Sequence, residues 1–456
     1  MSADVVVLVP PAPAPSLGAF AAAALFAGRG RTVTLLEPAG TPDPERPEEP
    51  FLLPVPDDGR ADAAGRLVSL LATAARLGPL DRLVERLPVP CQVILRRHRL
   101  DVAADPATLA AEVAREWPEA SSGFAAIERE IARLDAALAT APPRLLVGSP
   151  TRLGRAGDVL AFLHRPGPWV RGRKALAAPV PSVADPAAAA GLAALALGLG
   201  GTDDGIGRLA GLWRPWTAAR RGAVPRAAGG LAAHLRARAV SAGARSEPYD
   251  PDALALTTAR EGLAVRTAPG AGLVARLLVS AWPAAGLAPR AEGRPADRLT
   301  RLAAVATPRR WAARLILAAP RAALPVGLGR RAVLTGDDPD GPDPLLLEVD
   351  PVGGDAVRLG LTALVDNPAA PPDLAARLRR RLEWLVPFLP AETEGRLIPP
   401  DARWPVRFAA PGTRPVRLPP LAWRHLALVG PDVAPGLGPE GEVLAALAVV
   451  GALAPS

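Results

Sequence analysis

Three residues near the N-terminus, Ser16, Gly18 and Glu37, have the types and spacing to hold a phosphorylated nucleotide. Ser16 stands where an N-cap would open a helix, and the partial positive charge of that helix end attracts an anion. Gly18 lies near a position where a dinucleotide loop uses glycine so that helix can pack on strand. Glu37 closes an aliphatic run, at the place where a dinucleotide fold keeps the acid that takes the ribose hydroxyls. Taken alone, Glu37 would be no more than a polar strand end.

To position these residues the chain needs a strand, a helix and a second strand, and that pattern surrounds them. Residues 5–9 are a continuous β-branched and aliphatic run, the pattern of a parallel strand buried on both faces. Residues 17–27 are small and apolar all round, as in a helix packed tightly on a sheet. Gly28 and Gly30 close that helix, and residues 32–36 supply the second strand. The connecting loop does not suit a phosphate. Pro10, Pro11, Pro13 and Pro15 remove donors where free N–H groups should point at the pyrophosphate, and they fix φ where the turn must adapt.

Towards the other end, residues 426–429 form a short apolar run that leads into a Gly/Pro loop and a small-residue helix from about Glu442. The stretch GPDVAPGLGPEGE resembles the C-terminal flavin motif of the carotenoid (phytoene) desaturases and the wider FAD-dependent amine oxidase superfamily. That motif is a strand, Gly-Asp, then Pro-Gly-x-Gly-x-x-Gly, then a helix whose N-terminus faces the flavin. The matching residues are Gly430, Pro435, Gly436, Gly438 and Gly441. Pro431 stands where the family has the aspartate that contacts FAD, and Asp432 comes one residue late. Glu442 adds a carboxylate at the helix start, beside the expected pyrophosphate.

Other segments resemble the family in the same order. Residues 229–244 (GGLAAHLRARAVSAGA) match its Gly-Gly-helix-Gly segment, and residues 275–284 (ARLLVSAWPA) match its strand ending Val-Ser-Asn-Ala-Asp-Pro. Residues 345–365 (LLLEVDPVGGDAVRLGLTALV) resemble the antiparallel strand pair of its substrate domain. The Gly-Gly-Arg that follows the ribose acid in the family is missing after Glu37. The resemblance therefore implies FAD, with Ser16, Gly18, Glu37, Gly430, Asp432, Gly436, Gly438 and Gly441 as the cofactor-binding set, impaired in each of its elements.

The rest of the chain narrows the field. With 456 residues, 49% hydrophobic and 21% charged, it has the composition of a globular protein of two or three domains or one large composite one. A net charge of +8 invites a nucleic-acid reading, but Lys174 is the only lysine and the arginines are interspersed with acids throughout. No nucleic-acid partner is expected; the Ala/Arg/Pro/Gly bias fits GC-rich coding. Cys91 is the only cysteine, and His98, His164, His234 and His425 lack ligand-spaced partners, so no metal is expected. Ser149 lacks the glycine elbow of a hydrolase nucleophile, and residues 335–343 suit a hairpin turn better than a calcium loop. Residues 373–386 suit an amphipathic helix with a basic solvated face, and residues 212–226 a packed Trp/Arg loop. A membrane-surface or protein contact stays open for both. Residues 187–201 are too short an apolar stretch to span a bilayer, and no basic leader precedes the first strand. A cytoplasmic protein, at most peripheral to a membrane, is expected.

The fold class implied is α/β: a discontinuous Rossmann-like FAD/NAD(P)-binding domain (residues 1–75, 222–285 and 400–456) and a substrate domain of antiparallel sheet and helices (76–221 and 286–399). In the working family the flavin accepts a hydride from an isoprenoid, and no catalytic side chain is expected from the protein. With the flavin elements impaired, the leading expectation is a non-catalytic homologue that binds a lipophilic small molecule or acts as a subunit beside a protein partner. The Rab GDP-dissociation inhibitors, which share the fold and bind prenylated proteins, are its fold-level precedent. The alternative is an active FAD-dependent oxidoreductase, desaturase-like, acting on an isoprenoid or another lipophilic substrate.

Overall fold

The computed structural model describes residues 2–11, 17–39, 52–55, 65–139, 174–200, 208–226, 230–304, 308–335, 344–369, 372–401, 406–408, 421–433 and 439–453. Aliphatic runs from both ends of the chain meet in one sheet. Ser2–Leu8 (β1) lies between Val33–Pro38 (β2) and Ala271–Ser280 (β11), parallel to both. Arg245–Tyr249 (β8) extends it in parallel beyond β2, and Leu426–Leu428 (β19) does so beyond β11. Leu421–Trp423 (β18) then pairs antiparallel with β19, while Ala255–Ala259 (β9) and Gly262–Ala268 (β10) form a hairpin on β11. The buried, β-branched strands and the parallel register are the Rossmann-like half of the mixed α/β class read from the sequence.

One helix on this sheet is short of polar residues because it is covered. Every residue of Leu17–Ala27 (α1) is buried. Gly230–Ser241 and Pro439–Leu453 pack against α1, so it touches protein on all sides and has no need of a polar face. The C-terminal helix starts at Pro439, one turn before the residue suggested by composition.

A second sheet is built from the middle of the chain. Its order is Gly395–Ile398 (β16), Pro308–Pro320 (β12), Ala356–Val365 (β15), Leu345–Gly353 (β14), Arg331–Leu334 (β13), Cys91–Ile94 (β5) and Arg99–Val102 (β6). Only the β13–β5 pairing is parallel; Arg407–Phe408 (β17) joins the end of β12. A small third sheet links Leu53–Pro54 (β3), Gly222–Pro225 (β7) and Val84–Arg86 (β4). Leu374–Leu385 (α2) covers one face of the second sheet with Leu374, Leu378 and Leu382. Two of its arginines are engaged locally, Arg377 with Asp373 at 2.7 Å and Arg379 with Glu383 at 2.6 Å. No helix of the described residues is long and apolar enough to cross a membrane.

The Trp/Arg stretch is not a loop. Leu209–Arg221 is a helix that runs straight through Pro215 and hands over to β7. Proline inside a helix removes one backbone bond, and burial of two indoles offsets that loss. The Nε1 of Trp213 donates to Asp135 at 2.6 Å and that of Trp216 to Glu128. Arg220 donates to the carbonyls of Ala103 and Ala104 at 2.9 Å and pairs with Glu128. These tryptophans and arginines therefore form an internal polar seam.

Helix α1 approaches the first sheet through Gly18. A Cβ placed there would meet the Val429 carbonyl oxygen at 2.1 Å, which backbone on both sides prevents from relaxing. Gly18→Ala should therefore destabilise the protein by about 1–3 kcal/mol in a urea titration, the usual cost of overpacking a core. Gly451→Ala, where nothing lies within 4 Å, should be neutral or slightly stabilising.

Candidate functional site

The first turn of a helix leaves backbone N–H groups without partners inside the helix. In a dinucleotide fold, the α1 end at the carboxyl edge of the parallel sheet offers such groups to a phosphate. Here Gly18 N–H donates to the Glu442 carboxyl, at 3.0 Å. Glu442 comes from the first turn of the Pro439–Leu453 helix, which lies against α1. Its neighbour Glu440 does the same for another helix. It accepts from Gly65 N–H at 3.1 Å, at the N-cap of Arg66–Ala74, and pairs with buried Arg214. Gly65 holds φ at 80°, in the left-handed region where glycine is favoured. Two helix ends are thus closed by carboxyl groups of a third.

Two acids here, Glu442 and Asp432, keep their protons to unusually high pH. Burial pushes the Glu442 carboxyl up to about 8, with the Gly18 N–H pulling it down and Asp432 pushing it further up. Asp432 is pushed up to about 6, again by burial, against the hydrogen bond from Ala284 N–H. That bond, 2.7 Å to Oδ2, turns Asp432 onto the short helix Ala284–Leu287, and Oδ1 has no partner among the described residues. Gly430 lets the exit of β19 pass the end of β11, since a Cβ there would meet the Ala281 carbonyl oxygen at 2.5 Å.

Glu37 is also engaged within the chain. Arg236 grips it with two hydrogen bonds of 2.6 and 2.8 Å, and the Ser246 hydroxyl donates to the same carboxylate. A bidentate guanidinium is the strongest common partner for a carboxylate and leaves it few lone pairs to offer a ribose. Gly441 is buried in the first turn of the C-terminal helix. Ser16, Gly436 and Gly438 lie outside the described residues, as do Pro13, Pro15, Ser149, His164 and residues 336–343.

The structure therefore brings Gly18, Gly430, Asp432 and Gly441 to one end of the parallel sheet, and Glu37 to the end of the neighbouring strand. Internal groups engage two of them: the Glu442 carboxyl takes the Gly18 N–H, and Arg236 and Ser246 take the Glu37 carboxylate. Glu440, Arg214, Arg236 and Ser246 complete the arrangement and escaped the sequence reading. Two acids in one first turn, Glu440 beside Glu442, were the available signal for the first of them. Cys91 is buried with its thiol pushed up to about 12 by that burial, so it is no nucleophile. No three His, Cys, Asp or Glu among the described residues could hold a metal ion.

These proton affinities set a pH dependence. In the unfolded chain, Glu442 releases its proton near 4.5; in the folded one it does so near 8. Between those values the folded state holds a proton that the unfolded state has lost, so rising pH favours unfolding, and the loss levels off above the upper value. Each such group contributes a slope of at most about 1.4 kcal/mol per pH unit. Wild-type stability in urea should fall from pH 6 to 8, and Glu442→Gln should flatten that interval.

No protein-family model and no curated relative matches the chain. Solved structures do match it along its full length. An oxidoreductase from Methanosarcina mazei superposes with a TM-score of 0.55 at 13% identity, covering 99% of this chain and 100% of that one. Cyclohexylamine oxidase from Brevibacterium oxydans gives 0.52 at 16% identity over 99% and 98%. Rab GDI from Plasmodium falciparum gives 0.52 at 10% identity over 98% and 97%. At such identities the likeness is one of fold: the chain has the Rossmann-containing mixed α/β fold shared by these oxidoreductases, amine oxidases and the GDI.

Proposed function

We propose that this protein is a non-catalytic relative of the phytoene-desaturase-like flavoproteins, using the scaffold without FAD to bind a lipophilic ligand or to serve beside a protein partner. The observation that carries the reading is the Glu442 carboxyl on the Gly18 N–H. A pyrophosphate at that helix end would have to displace a buried group held in place by its own helix. The Arg236 clamp on Glu37 points the same way. Prolines 10, 11, 13 and 15 further reduce the donors in the preceding loop.

A second reading is an FAD-dependent oxidoreductase acting on an isoprenoid or other lipophilic substrate. The full-length likeness to an oxidoreductase and to an amine oxidase favours it, and the comparisons alone side with it. The local geometry supports the first reading, because a fold hosts many functions and a site only those its atoms allow.

The visible spectrum separates the two. The purified protein should be colourless, and should stay so after incubation with excess FAD and gel filtration. A stoichiometric yellow flavin in either preparation would overturn the non-catalytic reading and establish the second.

A further inference from the structure

The second sheet carries a charged face that the reading above leaves unused. Side chains alternate along a strand, and Leu315, Leu317, Leu347, Leu359 and Leu361 belong to the core under α2. The opposite face carries Arg314 on β12, Arg358 on β15, Glu348 and Asp350 on β14 and Arg331 on β13, with Arg330 just before β13. The register sets Arg331 opposite Glu348 and Arg358 opposite Asp350.

Four guanidinium groups thus share two carboxylates on this face. Arg331 reaches Asp350 at 2.8 Å and Glu348 at 3.9 Å; Arg330 and Arg358 each reach Asp350 at 3.4 Å; Arg314 pairs with Glu348. Glu85, on β4, takes one more donor of Arg330 at 2.8 Å. The side chains of Arg331 and Glu348 are only 4% and 8% exposed, so solvent does not balance the charge. Burial pushes the Arg314 guanidinium below its ordinary range, and Arg358 and Arg331 add to that against Glu348 and Asp350.

Two details suggest a place built for one more acceptor. Arginine has five N–H donors and no acceptor, and a buried donor needs a partner. The Nε groups of Arg314 and Arg330 are turned from solvent and have no hydrogen-bond partner among the described residues. The Arg314 guanidinium also lies flat on the sheet over Gly360, where a Cβ would meet its Nη2 at 2.5 Å and Nε at 3.0 Å. Any other residue at 360 would lift it away.

We propose that this arginine face binds an oxyanion, a carboxylate or phosphate, as the acidic head of the lipophilic ligand inferred above. The Nε groups of Arg314 and Arg330 supply the charge-assisted donors that such a group accepts. Ile316 and Leu346 continue the same face as buried apolar neighbours. The identity of the ligand as an amphiphile rests on the ligand-binding reading; the oxyanion site does not.

The test is calorimetric titration and thermal denaturation of the full chain at constant ionic strength in chloride. The probes are inorganic phosphate, acetate, decyl phosphate and decanoate. Saturable binding is expected, stronger for the long-chain probe of whichever head group is preferred. Gly360→Ala displaces only the end of a flexible side chain and should keep the fold, yet weaken binding about tenfold or more, the loss of a charge-assisted hydrogen bond. Arg330→Gln, at the more exposed edge, should weaken it in the same direction. Equal affinity in wild type and Gly360→Ala, or no saturable binding of any probe, would overturn the proposal and leave a structural ion-pair lattice. Binding of the short probes alone would support the oxyanion site and overturn its assignment to an amphiphile. A yellow protein that still binds phosphate through Gly360-dependent contacts would overturn the non-catalytic reading and spare this site.

Discussion

The Gly18–Glu442 hydrogen bond joins helix α1 to the C-terminal helix packed against it beside the first sheet. Helix α1 is buried on all sides, so its unpartnered first-turn donors cannot turn to water. Something must accept from them inside the protein. In a nucleotide-binding protein that acceptor arrives with the ligand. Here Glu442 accepts from one of them, the Gly18 N–H, beside a contact with the Val429 carbonyl so close that residue 18 must be glycine.

The two acids of the C-terminal helix meet the cost of burial differently. Glu440 is matched by the buried Arg214 guanidinium and the Gly65 N–H, and burying a charge is tolerable when it is paired and hydrogen-bonded. Glu442 is held protonated by its burial, with Asp432 adding to the effect against the Gly18 N–H. One turn of helix therefore holds an ion pair and a neutral acid side by side. A neutral carboxyl accepts from a helix end as a phosphate would, without bringing a charge into an apolar layer.

Much of this frame was legible in the sequence because it depends on local pattern. The aliphatic runs at residues 5–9 and 426–429, the small-residue helix from Leu17 and the Leu345–Val365 hairpin all declare themselves over a few residues. Glu442 was visible too, as an acid at the start of a glycine-led helix. What it touches was not, since Gly18 lies 424 positions away. The same holds for Arg236 on Glu37, a partner 199 positions distant on a helix whose arginines look alike in sequence. The Leu209–Arg221 helix was hidden for a different reason: Pro215 reads as a breaker, and only the acids waiting under Trp213 and Trp216 make the helix worth keeping.

The separation in sequence of the two helices has a consequence for synthesis. Strand β1 and helix α1 leave the ribosome well before β19 and the Glu442 helix that complete their sheet. Until then α1 is an apolar cylinder with one face and its first turn open, the kind of surface that aggregates while a chain waits. Loop closure of this length is entropically affordable but slow. Helix α1 must therefore stay shielded, or remain unfolded, until the Glu442 helix has been made, and that helix acts as the latch that ends the wait.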